Sequence, residues 1–376
     1  MDYNWLADLR ALENYVKTRP AIKIEPASVM IPADVRNEFY TYFDRVRENF
    51  IRRYFSRELA MAEELKFEFF KAETEAVAAL GLDGQAKIAA PLRWLVNDPL
   101  NGMMRPVFNP LFDLLKEKVT PEDFEQTGRI DIQSYFNKYY NLGYERWTAF
   151  SLLKWLEPSE AFAMPVHDCN LYSSSMEGDS QYERSEVPPS LEPLKEMIFD
   201  HSTHVTFTVP EFIVYSLKLK KYVALKTGFV EPNWKARIVS DERQWLDLKP
   251  IANVFTALNP WPNIMLYIGN HPDDIRLVAD KYRLCRPDII LDTLTGEESP
   301  DSTAINRIKY HHRLIKPVSG GGVICRTRVD PGSFTEPGGS EETGTVSPSV
   351  KFIDAGYDSA RLTEAFEGLM PVPAEN

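Results

Sequence analysis

The sequence predicts an α+β protein in which an all-helical N-terminal region precedes a C-terminal α/β domain, whose mixed sheet contains one parallel strand-helix-strand unit. Three observations predict it. Residues 33–80 contain no proline or glycine, and Phe39, Phe43, Val46, Phe50 and Tyr54 recur every three or four positions as one buried stripe. Residues 204–209 alternate instead, with Val205, Phe207 and Val209 on one side, as a half-buried strand does. Residues 262–296 combine the two patterns: a β-prone run at 264–268, a turn with Pro272, Asp273 and Asp274 as a helix start, a face of Ile275, Val278, Ala279 and Tyr282, and a second apolar run at 288–292. A connection of that length suits a parallel pair, which places 269–271 and 292–295 at one edge of the sheet, where open α/β sheets bind ligands.

The elements follow in order. Residues 4–17 form an amphipathic helix with Leu6, Leu9, Leu12 and Val16 on one face, ended by the proline-bearing stretch 19–32. The long helical region 33–80 divides its charge, with Arg36, Arg45, Arg47, Arg52, Arg53 and Arg57 in the first half and glutamates in the second. Such a face can hold phosphates or an acidic partner, and it can equally be a solvated face whose charges pair locally. Helical patterns at 85–96, 103–119 and 131–155 complete a helical domain over 1–172. The last of these is rich in tyrosine, phenylalanine and tryptophan, which at helical spacing signals core or interface.

Residues 173–189 are polar and close on two prolines, as a linker or long exposed loop does, and the α/β domain spans 190–376. It opens with a short helix at 190–198, the strand at 204–209, and strands at 211–219 and 222–229 joined by a tight turn. A helix at 241–258 leads into the unit at 262–296. A helix at 299–311, a flexible glycine turn at 319–322 and a strand at 323–329 come next. A mobile loop rich in glycine, proline, serine and glutamate occupies 330–348, before a last strand at 350–354 and a helix at 359–370.

The formal charge of -12 excludes a protein that coats nucleic acid or an anionic membrane over its whole surface. Cys169, Cys285 and Cys325 are odd in number and widely spaced, as reduced thiols of a cytoplasmic protein are, and no stretch is apolar enough to span a bilayer. No pattern calls for a particular cofactor, and the histidines lack metal-ligand spacing.

Two places draw attention. Lys218, Lys220, Lys221, Lys226, Lys235 and Arg237 make a local basic patch interleaved with aromatic residues, able to bind nucleic acid or a phosphorylated ligand; lysines also blunt an exposed strand edge. At the edge of the 262–296 unit, Asn270, His271, Asp292, Thr293 and Thr295 are candidates to converge on a small ligand or a divalent ion, with His271 as acid, base or ligand and Asp292 as a candidate catalytic residue; His271 and Asn270 equally suit a helix cap. The order helix, three strands, helix, strand from 190 to 268 resembles the core of the PD-(D/E)XK nuclease superfamily. That resemblance implies a metal-binding acid at Glu211 and the motif lysine at Lys226, but position 224, where the motif has glutamate, is alanine, which removes a metal ligand.

These readings lead to two expectations. The first is a soluble cytoplasmic binding or assembly protein without a complete catalytic set, whose partner is a protein. The alternative is a nucleic-acid-processing or phosphate-ester enzyme that uses the C-terminal domain.

Overall fold

The computed structural model describes residues 3–163, 191–199, 212–227, 237–238, 245–247, 262–275, 277–278, 283–296, 303–315, 317–329 and 350–370. The chain forms two compact units, one of Met1–Phe70 and Ala90–Tyr144, the other of Lys71–Ala89 and Glu145–Asn376. N-terminal helices are followed by a C-terminal mixed sheet with parallel strands, as expected. No helix among the described residues is long and apolar enough to cross a membrane.

The first unit is built from α1 (Trp5–Lys17), a small hairpin of β1 (Lys23–Ile24) and β2 (Val29–Met30), α2 (Ala33–Tyr54), the start of α3 (Ser56–Ala79), α4 (Ala90–Asn97), α5 (Pro99–Met104), α6 (Phe108–Leu115) and the first two thirds of α7 (Pro121–Trp155). The aromatic stripe of α2 is its core. Phe39, Phe43 and Phe50 are fully buried; Phe43 meets Phe112 at 4.5 Å between ring centroids, and Trp5 meets both Phe50 and Phe124 at 5.4 Å. Trp5 and Tyr15, rather than Leu6 and Val16, complete the buried face of α1. The single helical region expected over 33–80 is interrupted at Phe55, which turns inward while Ser56, a residue type favoured at helix starts, begins α3. The arginines of α2 pair locally: Arg45 with Asp8 at 3.3 Å, Arg52 with Glu48 at 2.8 Å, and Arg53 with the Tyr3 carbonyl at 3.5 Å. Arg47 is buried between the Phe43 and Phe108 rings and donates to the Met104 carbonyl at 3.2 Å.

In the second unit the strands are β3 (Pro158–Ala163), β4 (Glu192–Pro193), β5 (Phe212–Ser216), β6 (Lys221–Thr227), β7 (Arg237–Ile238), β8 (Trp245–Asp247), β9 (Ile264–Gly269), β10 (Leu277–Val278), β11 (Arg283–Cys285), β12 (Ile289–Leu294), β13 (Gly320–Cys325) and β14 (Val350–Asp354), with α8 (Thr303–Ile315) and α9 (Ser359–Leu369). Eight of them form one sheet in the order β14-β13-β12-β9-β6-β5-β3-β4. β12, β13 and β14 run parallel and every other pairing is antiparallel. Segment 173–189 lies outside the described residues, and β3, which precedes it in the chain, joins the sheet formed by the later strands. The strand at 204–209 and the loop at 330–348 also lie outside them.

The unit expected at 262–296 is corrected in two ways. Its strands are neighbours, but β9 and β12 pair antiparallel, Ile290 opposite Met265. The helix between them is replaced by a 3-10 turn at Pro272–Ile275 and the strands β10 and β11, which pair with β7 and β8. The helical spacing of the apolar residues there loses to strand pairing, and an antiparallel pair needs no crossover helix. Strand likewise replaces helix at Glu192–Pro193 and at Trp245–Asp247. The parallel strand-helix-strand unit exists one step later, as β12, α8 and β13.

The glycines expected as a flexible turn at 319–322 instead open the buried strand β13. Their lack of side chains makes room on both faces. A Cβ on Gly321 would lie 2.3 Å from His312 Cε1 and 2.6 Å from the Ile290 carbonyl oxygen, and one on Gly322 would lie 3.0 Å from Leu369 Cδ1. His312 of α8 and Leu369 of α9 can therefore pack directly on the strand. Gly321→Ala is expected to cost about 1–3 kcal/mol, the range for overpacking a core. Because the Ile290 carbonyl is also in the way, His312→Ala should restore only part of that loss in urea denaturation.

Candidate functional site

The antiparallel pairing decides what the sheet brings together. Gly269 stands opposite Tyr222 and Leu291 opposite Ile264. Asn270 and His271 therefore leave β9 beside the beginning of β12, whereas Asp292 and Thr293 lie toward its other end, next to Asn263. The four residues do not share an edge. His271 is exposed, its ring 6.4 Å from that of Tyr222.

Asp292 is fully buried, with Oδ2 3.6 Å from Nε2 of His312, itself buried on α8. Adjacent Thr293 faces the opposite side of the sheet, and its backbone N–H donates to Asn263 Oδ1 at 2.9 Å. Asn263 Nδ2 donates in turn to Glu145 Oε2 at 2.8 Å, and Arg146 Nη1 to Glu145 Oε1 at 2.7 Å, with the Arg146 guanidinium 5.0 Å from the centre of the Phe199 ring. This chain of polar groups, buried at Glu145 and Arg146 and half-buried at Asn263, ties the end of α7 to the sheet.

The basic hairpin is divided among several roles. Lys218 pairs with Glu367 at 2.9 Å and lies 4.8 Å from the centre of the Trp155 ring. Lys220 is exposed in the turn with a φ of 53°, a left-handed conformation that suits a tight reversal. Lys221 opens β6 opposite Ser216. Lys226 is buried, and its Nζ donates to the Thr227 carbonyl at 2.9 Å. It shares a sheet face with Asp292, but β9 runs between them, about 10 Å across two strand spacings. Arg237 lies in β7, paired with β10; Glu211 and Lys235 are outside the described residues. Among the described residues no group of three or more histidine, cysteine, aspartate or glutamate side chains could hold a metal ion.

The first unit carries a different kind of site. An open groove of about 960 Å³ lies between the α2–α3 junction and the outer face of α7. Tyr54 and Phe55 form one wall, and α7 supplies Glu122, Ile130, Gln133 and Asn137 at helical spacing on the other. Ile130 is 62% exposed. Gln133 Nε2 donates to Asn137 Oδ1 at 2.9 Å, while Arg129 lies 5.0 Å from the centre of the Tyr54 ring and 3.8 Å from Glu125. Glu122 forms no ion pair among the described residues. The signal in the sequence was an isoleucine standing alone on the polar stripe of a helix whose apolar stripe was already complete.

The chain matches no known family model, no curated protein and no solved structure.

Cys325 is buried in the cluster of Leu294, Ile305, Ile308 and Val323. Burial pushes its thiol up to about 12, against a backbone hydrogen bond from Ile353. At pH 8 only about one thiol in ten thousand is then ionised, and the thiolate is the form that alkylates. Peptide mapping after iodoacetamide treatment should find Cys325 unmodified in the native protein and labelled once it is denatured. Asn263→Ala, which removes both bonds of the amide, should cost about 2 kcal/mol in the same denaturation assay.

Proposed function

We propose that this chain is a binding or assembly protein without a catalytic role of its own, and that the groove of its helical unit receives an amphipathic helix of a partner protein. The exposed Ile130 that lines that groove carries the reading. It offers an apolar anchor in a groove that Tyr54 also lines, with amide side chains that can hydrogen-bond along a partner's edge. The carboxylate of Glu122, unpaired among the described residues, favours a partner with lysine or arginine at that end, as does the net charge of -12. The contacts of the candidate catalytic residues support the reading too, since Asp292 and Lys226 are buried in packing contacts on separate strands.

The probe is a fluorescein-labelled amphipathic helix of leucine and lysine, compared with one of leucine and glutamate. The lysine peptide should bind more tightly, and Ile130→Lys or Glu122→Lys should weaken it roughly tenfold, or about 1.4 kcal/mol. Binding that ignores both substitutions would remove the groove from the reading. Turnover of a phosphodiester, nucleotide or ester that disappears in Asp292→Asn or His271→Ala would overturn the non-catalytic assignment.

A further inference from the structure

A second surface of the helical unit has the composition of an interaction site and the opposite charge preference. Trp94, on α4, is 40% exposed. The guanidinium carbon of Arg105 lies 3.5 Å from the centre of its indole ring, closer than any other cation and ring among the described residues. Tyr135 and Tyr139 of α7 lie alongside, 4.8 Å apart between ring centroids, and Lys138 sits 5.3 Å from the Tyr139 ring centre. Burial pushes the Tyr135 phenol up to about 12, with Tyr139 acting in the same direction and the Arg105 charge opposing both. Its hydroxyl stays protonated and donates to the Pro91 carbonyl at 2.9 Å, which fixes the ring.

The stack is held from below by a close approach of two helices. At Gly102 of α5, a Cβ would lie 2.8 Å from the Leu95 Cα and 3.1 Å from the Trp94 carbonyl oxygen. Only glycine permits that distance. Three residues later, where α5 gives way to a 3-10 turn at Arg105–Val107, the chain passes over Trp94 and delivers Arg105 to its ring.

Stacking uses the flat face of a guanidinium and leaves the N–H groups at its edge, the fork that grips a carboxylate with two parallel bonds. Arg105 forms no ion pair and no side-chain hydrogen bond among the described residues. Arginine, tryptophan and tyrosine are also the residues that most often carry binding energy at protein interfaces. We propose that Arg105, Trp94, Tyr135 and Tyr139 bind an acidic protein segment, with a carboxylate on the Arg105 fork and an adjacent apolar or aromatic side chain against the tyrosines. Two cations, Arg105 and Lys138, suit one or two carboxylates and are too few for the row of phosphates of a nucleic-acid backbone.

The test is fluorescence polarisation of the full chain with a fluorescein-labelled peptide alternating glutamate and phenylalanine. The same peptide with lysine for glutamate and a single-stranded oligothymidine are the other arms. The glutamate peptide should bind, the lysine peptide and the oligonucleotide should bind far more weakly, and Arg105→Ala should reduce affinity roughly tenfold. Arg105→Lys keeps the charge without the planar fork and should lose most of that affinity as well; Trp94→Ala should weaken binding several-fold. Unchanged thermal melting of the Arg105 variants will show that they remain folded. Ile130→Lys, in the separate groove, should leave this titration unchanged, so that either surface can fail without the other. Equal binding by the Arg105 variants, equal binding of the lysine peptide, or preference for the oligonucleotide would overturn the proposal.

Discussion

One half-buried amide side chain joins the buried charges at the end of α7 to the sheet of the second unit. Asn263 stands just before β9 and satisfies two groups at once, the N–H of Thr293 at the end of β12 and the carboxylate of Glu145. A buried carboxylate and guanidinium are tolerated only when their hydrogen-bonding capacity is met, and Arg146 and Asn263 each donate to one oxygen of Glu145. The same placement follows from the antiparallel pairing of β9 and β12, which brings residue 263 level with 292. Strand direction, helix attachment and charge burial are thus one problem with one solution.

The opposite face of the sheet is organised by an absence of side chains. Gly321 leaves the space that His312 fills, and His312 comes within 3.6 Å of Asp292 while Ile305 and Ile308 of the same helix pack on Leu294 and Val323. A histidine and an aspartate at this distance invite a catalytic reading. Their burial beneath α8 makes the contact one between a helix and the strand beneath it, and it explains why Gly321 stands inside a strand.

The helices were legible because their signal is local. The stripe of Phe39, Phe43 and Phe50 needs only its own spacing to declare a buried face, and the last helix announced itself through Leu362, Phe366 and Leu369. Strand pairing is not local, so nothing within 262–296 distinguishes a crossover helix from short strands whose partners lie in 237–247. The misassigned direction of β9 and β12 then misplaced the candidate site, because a parallel pair would have gathered Asn270, His271, Asp292 and Thr293 at one edge. The lysines of the hairpin were visible as a cluster, but their separation into a paired Lys218, a turn at Lys220 and a buried Lys226 depends on neighbours far along the chain. Ile130 was visible too, as an exception to the periodicity around it.

The contact at Gly102 shows how sequence tolerance can mislead about where a protein meets its partners. Gly102 is buried and offers no side chain, yet the position of the Arg105 guanidinium depends on the missing methyl group. A genetic screen for lost association would score this glycine alongside the exposed arginine and tryptophan. Drawn on a map of the surface, the recovered positions would then show a gap in the middle of the interface, at the point where the two helix backbones come together.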